Sequence, residues 1–551
     1  FPDGSLSSSG IGSCGGNLGR SASAEGSSPH QSYVGSLVSR VRRSILMALW
    51  SSTVAKVVVV GAGIGGMATA ARLSVKGHHV TILEQSDKVG GKAGAYRRDG
   101  FVFDTGPSLV TLPAVYRDLF LKTGAALEEC VDLQPVEPGT SYRWTDGSAV
   151  TLPGVNPAAA ATALGEAFGG SSREDWLALT ARAAKIWALT RRPFLESTLD
   201  GPRDLLDLAR SPRDVATVAP TTSLRRLGKK YLKDPHLRML LDRYATYSGS
   251  DPRKAPAALA TIPYVEQTFG SWHIGGGVHQ LATALAQRCA ERKVDIELNT
   301  DVVRVATAND RVRGVELANG DVIAADIVVS NADASHLYGD LLDTPPADAA
   351  LQRLSKATPS FSGFVMLLAV RGRTPGIQHH NVWFPADYDA EFDSVFSGKP
   401  AADPTIYACV PNDPLMRPDA DHESWFVLIN APRHGTSKHT FDWSDSAFAN
   451  TYADRAIATL ASRGVDLRSR ILWRELITPA DLATRTRAPG GAIYGTSSNG
   501  MRAAFLRPAN VSPIAGLYLV GGSAHPGGGL PLVGMSAEIV AEKIGRAKRR
   551  R

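Results

Sequence analysis

The sequence is poor in cysteine: Cys14, Cys130, Cys289 and Cys409 are the only four in 551 residues, and no two form a CxxC pair. That spacing offers neither a metal knuckle nor a disulfide framework, and a reducing cytoplasmic compartment is the simplest setting. Long apolar runs are missing too, since none reaches the roughly 18 residues a helix needs to cross a bilayer. A GxxxxGK[ST] phosphate loop and a GxSxG nucleophile elbow are both absent, which removes the main signals of nucleotide kinases and acyl-transfer hydrolases. The folded region carries no basic stripe interleaved with aromatics, and no nucleic-acid partner is expected.

What is present is the composition of a globular protein, 43% hydrophobic and 21% charged, enough for one large composite core or two to three domains. The net charge of +7 has part of its excess in the tails, at Arg40, Arg42 and Arg43 and in the basic run 548–551. Such ends suit anionic lipid headgroups or are simply solvated. Residues 1–46 are rich in Ser and Gly and too poor in large apolar residues to build a core. Met47 reads as a native start. Segment 1–52 is accordingly taken as a disordered or non-native extension, with a targeting peptide as the competing reading.

From Lys56 the character changes. KVVVVGAGIGGMATAARLSVKGHHVTILEQ gives a continuous β-branched run, a glycine turn, a helix of small residues and a second apolar strand ending on Glu84. Continuous rather than alternating valine predicts a strand covered on both faces, as in a parallel sheet. Residues 151–269 are helical in pattern with Pro breaks, 270–345 alternate strands with turn signals, and 346–479 form an irregular α+β stretch. The last part, 480–551, returns to strand, glycine loop and helix in GLYLVGGSAHPGGGLPLVGMSAEIVAEKIG. Two nucleotide-type segments at opposite ends predict a discontinuous Rossmann-type α/β domain, built from 53–150, 270–345 and 480–551.

Gly61, Gly63 and Gly66, with Gly65 between them, follow a predicted strand and open a predicted helix. They supply the tight turn, the close backbone approach to a pyrophosphate and the helix–strand contact. The helix amino end offers free N–H groups to phosphate, and Glu84 is placed for ribose hydroxyls. NAD and FAD share this fingerprint. The following SDKVGGKAGAY, where Gly90 and Gly91 lead into Lys92, favours FAD, because a second glycine pair ending in a cation can approach the pyrophosphate from the other side.

The set GAGIGGMATAARL, EQSDKVGGKAG, FVFDTGPSLVTLP, SWHIGGGVHQLATAL and GLYLVGGSAHPGGGLPLVGMSAEIVA resembles the bacterial and fungal phytoene desaturase family of FAD-dependent carotenoid desaturases, over about residues 57–544. The resemblance implies an amine-oxidase-like flavoprotein fold, non-covalent FAD and a hydrophobic tunnel leading to it. It carries FAD contacts onto Gly61, Gly63, Gly65, Gly66, Glu84, Gly90, Gly91, Lys92, Val303, Gly521, Gly522, Gly529 and Pro531. The α+β stretch 346–479 is expected to form the substrate domain, and because a carotenoid-type polyene is nearly insoluble, the helical region 151–269, with its Leu/Ala/Arg/Trp composition, is expected to face a membrane surface peripherally. The expected reaction takes hydride and a proton from an allylic position of a carotenoid-type polyene, with a quinone or oxygen reoxidising the flavin, since no second nucleotide fingerprint is present. The SAHPGGGLP loop departs from the phytoene-type pattern, and a hydroxycarotenoid 3,4-desaturase, a carotenoid terminal oxidase, a retinoid saturase-like enzyme and a non-catalytic flavin-binding protein stay open.

Asp104 in FDTGPS and His525 in AHPGGG are the candidate catalytic groups, against turn and loop roles. Trp272 and His273 are expected beside the flavin or its entrance. No metal site is expected: the adjacent His379 and His380 point to different faces of a strand, with no Cys or third His near them in sequence.

Overall fold

The computed structural model describes residues 54–199, 211–500 and 502–547; the proposed extension 1–52, with Cys14, and the basic run 548–551 lie outside them. The four valines of Lys56–Val60 are all buried, and they alternate between two cores. Val57 and Val59 pack under helices Ile64–Val75, His279–Glu291 and Leu530–Ile544. Val58 and Val60 face the other way, toward the antiparallel strands Val302–Ala308 and Arg311–Leu317 and the helix Ala334–Gly339. A strand with no solvent face must be apolar at every position, which is why this segment does not alternate.

Its sheet is wholly parallel and has five strands, in the order Asp295–Glu297, His79–Leu83, Lys56–Val60, Ile327–Ser330 and Leu517–Leu519. These come from three stretches that are far apart in the chain. The register sets Val60 beside both Leu83 and Ser330, and Ser330 beside Leu519, so the chain leaves all four strands at one edge.

A second sheet of seven strands runs Ile471–Ile477, Ser362–Arg371, His422–Ala431, Ile406–Cys409, His380–Trp383, Thr140–Arg143, Ala149–Thr151. It is antiparallel except between His380–Trp383 and Thr140–Arg143. The sequence pattern assigns residues up to 150 to the first nucleotide segment. Instead the hairpin at 140–151 extends this second sheet, because Tyr142 is needed in the core it shares with Phe384 and the helices. Helix Ser446–Ser462 covers one face. The other face meets Phe101 and Phe103 of the strand Phe101–Asp104, and Leu482.

Between residues 151 and 269 the described chain is helical, with Pro157–Phe168, Ser172–Thr190, Leu224–Tyr231, Pro235–Arg243 and Thr261–Phe269 contributing to one core. Proline opens two of these helices beside side-chain caps from Asn156 and Asp234, so these prolines start helices rather than break them. Among the described residues no helix is long and apolar enough to cross a membrane.

Gly66 marks how closely helix and sheet approach. A Cβ there would run into the Gly61 carbonyl oxygen and lie 3.2 Å from Val59 Cγ1. Replacing Gly66 with Ala is therefore expected to cost about 1–3 kcal/mol, the usual penalty for overpacking, measured as a lower midpoint of thermal or urea unfolding.

Candidate active site

Ligands of open parallel sheets bind at the carboxyl ends of the strands, where the loops diverge. Three such loops are joined here by one residue. Asn331 follows Ile327–Ser330; its backbone N–H donates to Val60 O at 2.8 Å and its Nδ2 to Val520 O at 3.1 Å. A Cβ on Gly63 would fall 2.5 Å from Asn331 Oδ1, so the loop takes only glycine beside this amide. Gly90 closes the far side by donating to Ala62 O at 2.9 Å.

Helix Ile64–Val75 starts at Gly63 with no side-chain cap, and Leu530–Ile544 starts at Gly529 likewise. Both uncapped ends open on one cavity of about 460 Å³, which Gly61, Gly63, Gly65, Gly90 and Gly91 line together with Gly521, Gly522, Gly529 and Pro531. An uncapped helix start presents N–H groups and partial positive charge, the donor arrangement that suits phosphate oxygens. Lys92 and Arg485 add two cations to the same wall, and neither forms an ion pair among the described residues. Burial pulls both pKa values down, with nearby Asp333 and Asp481 respectively opposing it. Glu84, buried at the end of its strand, accepts from Ala62 N at 2.7 Å and from Ser86 N and Oγ at 3.0 and 2.8 Å, and still lines the cavity. Two free helix ends, the cations Lys92 and Arg485 and the Glu84 carboxylate are a donor and acceptor set that fits a dinucleotide.

The cavity continues from this cradle to the inner face of the seven-stranded sheet, where Val365, Phe426 and Leu428 line it, joined by Phe361, Leu482 and Ile493. Arg243, Tyr247 and Tyr407 also form part of its wall.

Several expected site residues lie elsewhere. Gly66 serves helix–sheet packing and is not in the wall. Val303 has its side chain 41% exposed, at an irregularity in the pairing of its strand, while Val302 lines the cavity; side chains alternate along a strand, so one position separates the two. Asp104 is 6% exposed, outside the lining, and accepts from Val278 N, His279 N and His279 Nδ1 at 2.8, 2.9 and 3.0 Å. It pins the glycine turn to the start of helix His279–Glu291, and its neighbours Thr105 and Gly106 line the cavity instead. His525 is 2% exposed, contacts Ser197 O through Nε2 at 2.9 Å, and receives Asn510 Nδ2 on its carbonyl, again off the cavity wall. Both catalytic candidates hold groups of the loops that carry them and lie off the wall of this cavity.

Trp272 stacks with Arg117 and donates to Phe269 O, and His273 pairs with Asp413 at 2.8 Å; neither borders the cavity. The two adjacent histidines have a cysteine beside them after all: His379, His380 and Cys409 bring ligand-type atoms within 4.8 Å of one another, because strand pairing sets His380 opposite Cys409. Sequence spacing could not reveal that neighbour. No sequence motif marks Arg485 or Arg243, and Asn331 is marked only weakly, as the polar residue ending the apolar run DIVVSNAD.

Comparison with known proteins decides the family. The pattern of flavin containing amine oxidoreductases matches residues 64–411. The chain belongs to the flavin containing amine oxidoreductase family. Within it, the chain is 32% identical over 494 residues to a 4,4'-diapolycopene oxygenase of Methylomonas sp, covering 89% of this chain and 98% of that one. It is likewise 32% identical over 503 residues to a hydroxyneurosporene desaturase of Rubrivivax gelatinosus, covering 89% and 93%. Among solved structures, a redesigned putrescine oxidase superposes with a TM-score of 0.60 at 15% identity, over 89% of this chain and 98% of that chain, a likeness of fold alone. Family membership agrees with the fit of the cradle, and the cofactor is a flavin.

Two outcomes follow for groups near, but outside, this flavin site. Replacing Asp104 with Ala strands the buried N–H groups of Val278 and His279; unfolding should be easier by about 1–3 kcal/mol, while the flavin-to-protein ratio of the folded fraction holds. Burial, reinforced by His273 and opposed by Asp413, takes His379 from 6.5 to about 3. The unfolded chain therefore binds this proton first as pH drops below about 6.5, and stability declines from there toward pH 3. Replacing His379 with Gln should flatten that part of the stability–pH curve in chemical unfolding.

Proposed function

We propose that this chain is an FAD-dependent carotenoid desaturase, which removes hydride and a proton from neighbouring carbons of a long acyclic polyene to add a conjugated double bond. The observation that carries the reading is the continuity of one cavity from the glycine cradle to the apolar wall of Val365, Phe426, Leu428 and Phe361. The names of the relatives, a diapolycopene oxygenase, a hydroxyneurosporene desaturase and a zeta-carotene-forming phytoene desaturase of Myxococcus xanthus, support the substrate class.

The FAD-binding part is assigned to 53–150, 270–345 and 480–551, less the hairpin at 140–151, and the substrate part to 346–479. Gly61, Gly63, Gly65, Gly90, Gly91, Gly521, Gly522, Gly529 and Pro531 would receive the cofactor against backbone. Lys92, with Arg485, would meet its phosphates, and Glu84 its ribose hydroxyls. Bound FAD supplies the hydride acceptor that no amino-acid side chain offers. The chain's own contribution is alignment and dryness. The apolar wall holds the polyene extended and keeps water out, and the charge that develops at an allylic carbon is spread by the substrate's own conjugation.

A polyene of this kind is almost insoluble, and no described helix could span a bilayer. We therefore place the protein on the cytoplasmic face of a membrane as a peripheral guest, docked through the helical region 151–269, with a quinone or oxygen taking up the electrons.

The purified holoenzyme should be yellow and should bleach near 450 nm when mixed anaerobically with a phytoene-type polyene in detergent; a flavin that no acyclic polyene reduces overturns the reading. Lys92 replaced by Met should lower flavin retention about tenfold or more, the loss expected for a charge-assisted contact, followed by dialysis and absorbance. Co-sedimentation with anionic liposomes tests the membrane surface, and a protein left in the supernatant would withdraw it.

A further inference from the structure

The substrate part of the cavity is not apolar throughout. Helix Pro235–Arg243 ends by placing Arg243 in its wall, 6% exposed, with its guanidinium carbon over the rings of Tyr247, Tyr142 and Tyr407 at 5.1, 5.7 and 5.7 Å. No carboxylate lies within ion-pair distance of it among the described residues, and its one hydrogen bond there runs from Nη1 to Tyr247 Oη at 3.0 Å. Glu266, the buried acid of the neighbourhood, is already bound by the hydroxyls of Tyr244 and Tyr247 at 2.7 and 3.2 Å. An arginine has five N–H donors, and sequestering a cation from water is costly unless those donors find acceptors.

The surroundings hold this cation in place. Tyr407 is fixed between Ser108 Oγ at 2.7 Å and His380 Nδ1 at 2.9 Å, so its ring stays under the guanidinium. Tyr247 is tied to Glu266, so the ring on the other contact is fixed as well. A polyene hydrocarbon offers this patch no lone pair. A chain whose end carries an oxygen acceptor would satisfy it.

We infer that Arg243, with Tyr247 and Tyr407, forms an end-group subsite that selects polyenes bearing a terminal oxygen acceptor, hydroxyl or carbonyl, over the matching hydrocarbons. This rests on the desaturase reading above and narrows it. In this role Arg243 is a specificity residue: it anchors one end of the extended substrate, and the distance from that anchor fixes which C–H bond lies at the cradle.

The test uses the intact holoenzyme and three ligands of equal chain length: an acyclic polyene hydrocarbon, its terminal alcohol and its terminal aldehyde. Dissociation constants come from quenching of tryptophan fluorescence under anaerobic conditions. The wild-type protein should bind at least one oxygenated ligand about tenfold or more tightly than the hydrocarbon, as expected for a hydrogen bond to a charged donor, and the alcohol and aldehyde arms show which oxygen it prefers. Arg243→Met should bring that ratio toward one by weakening the oxygenated arm. Equal wild-type binding of all three ligands, or an equal loss of all three in Arg243→Met, overturns the subsite; if the variant does not fold, the wild-type ratio alone decides. Flavin bleaching in the same samples separates the two claims. Bleaching without an oxygen preference removes the subsite and leaves the desaturase, whereas a preference without bleaching by any arm removes the desaturase.

Discussion

One residue, Asn331, holds the dinucleotide cradle together through its backbone N–H and its side-chain amide. Asn331 bonds the last carbonyl before the first glycine loop, at Val60, and the last before the closing loop, at Val520, while its Oδ1 lies against Gly63. Parallel strands bring loops to a common edge but do not fix their mutual spacing. The backbone N–H of Asn331 takes the first carbonyl and its side-chain Nδ2 the second, which sets that spacing; an apolar residue here would leave the Val520 carbonyl without this donor. The glycines are the complement of this contact: where the amide comes close, a Cβ has no room.

Legibility in the sequence followed the range of the forces involved. The run Lys56–Val60, the glycines after it and Glu84 were readable because local chemistry dictates them: β-branched residues for a doubly covered strand, glycine for close backbone approach, an acid at a strand end. The pairing of the ends was inferred from their similarity, and the sheet does place Leu517–Leu519 beside Ile327–Ser330. Residues acting across space were not readable in this way. Arg243 and Arg485 owe their positions to packing between stretches more than a hundred residues apart, and Cys409 meets His380 only through the pairing of two strands; nothing at their own positions in the chain marks them.

Asp104 and His525 show the reverse error. Each is a titratable residue inside a glycine-rich motif, which is what a catalytic group looks like on paper. In the fold such motifs also need something to hold their own N–H and C=O groups, and that is the use made of both side chains. The strand alternation that separates Val302 from Val303 is a similar matter of one position: a motif fixes the segment, whereas pleat and register fix which member faces inward.

The parallel sheet takes one edge strand from Leu517–Leu519, and the second uncapped helix is Leu530–Ile544, both far along the chain from the first glycine loop. During synthesis the first glycine loop therefore waits, half a vessel, until this distant strand and helix have left the ribosome. Cofactor capture is thereby deferred to a late stage of folding, and the sheet's long-range closure makes assembly slow in proportion. A chain that stopped before that strand and helix would carry the glycine fingerprint of a dinucleotide protein without the second helix start that lines the same cavity.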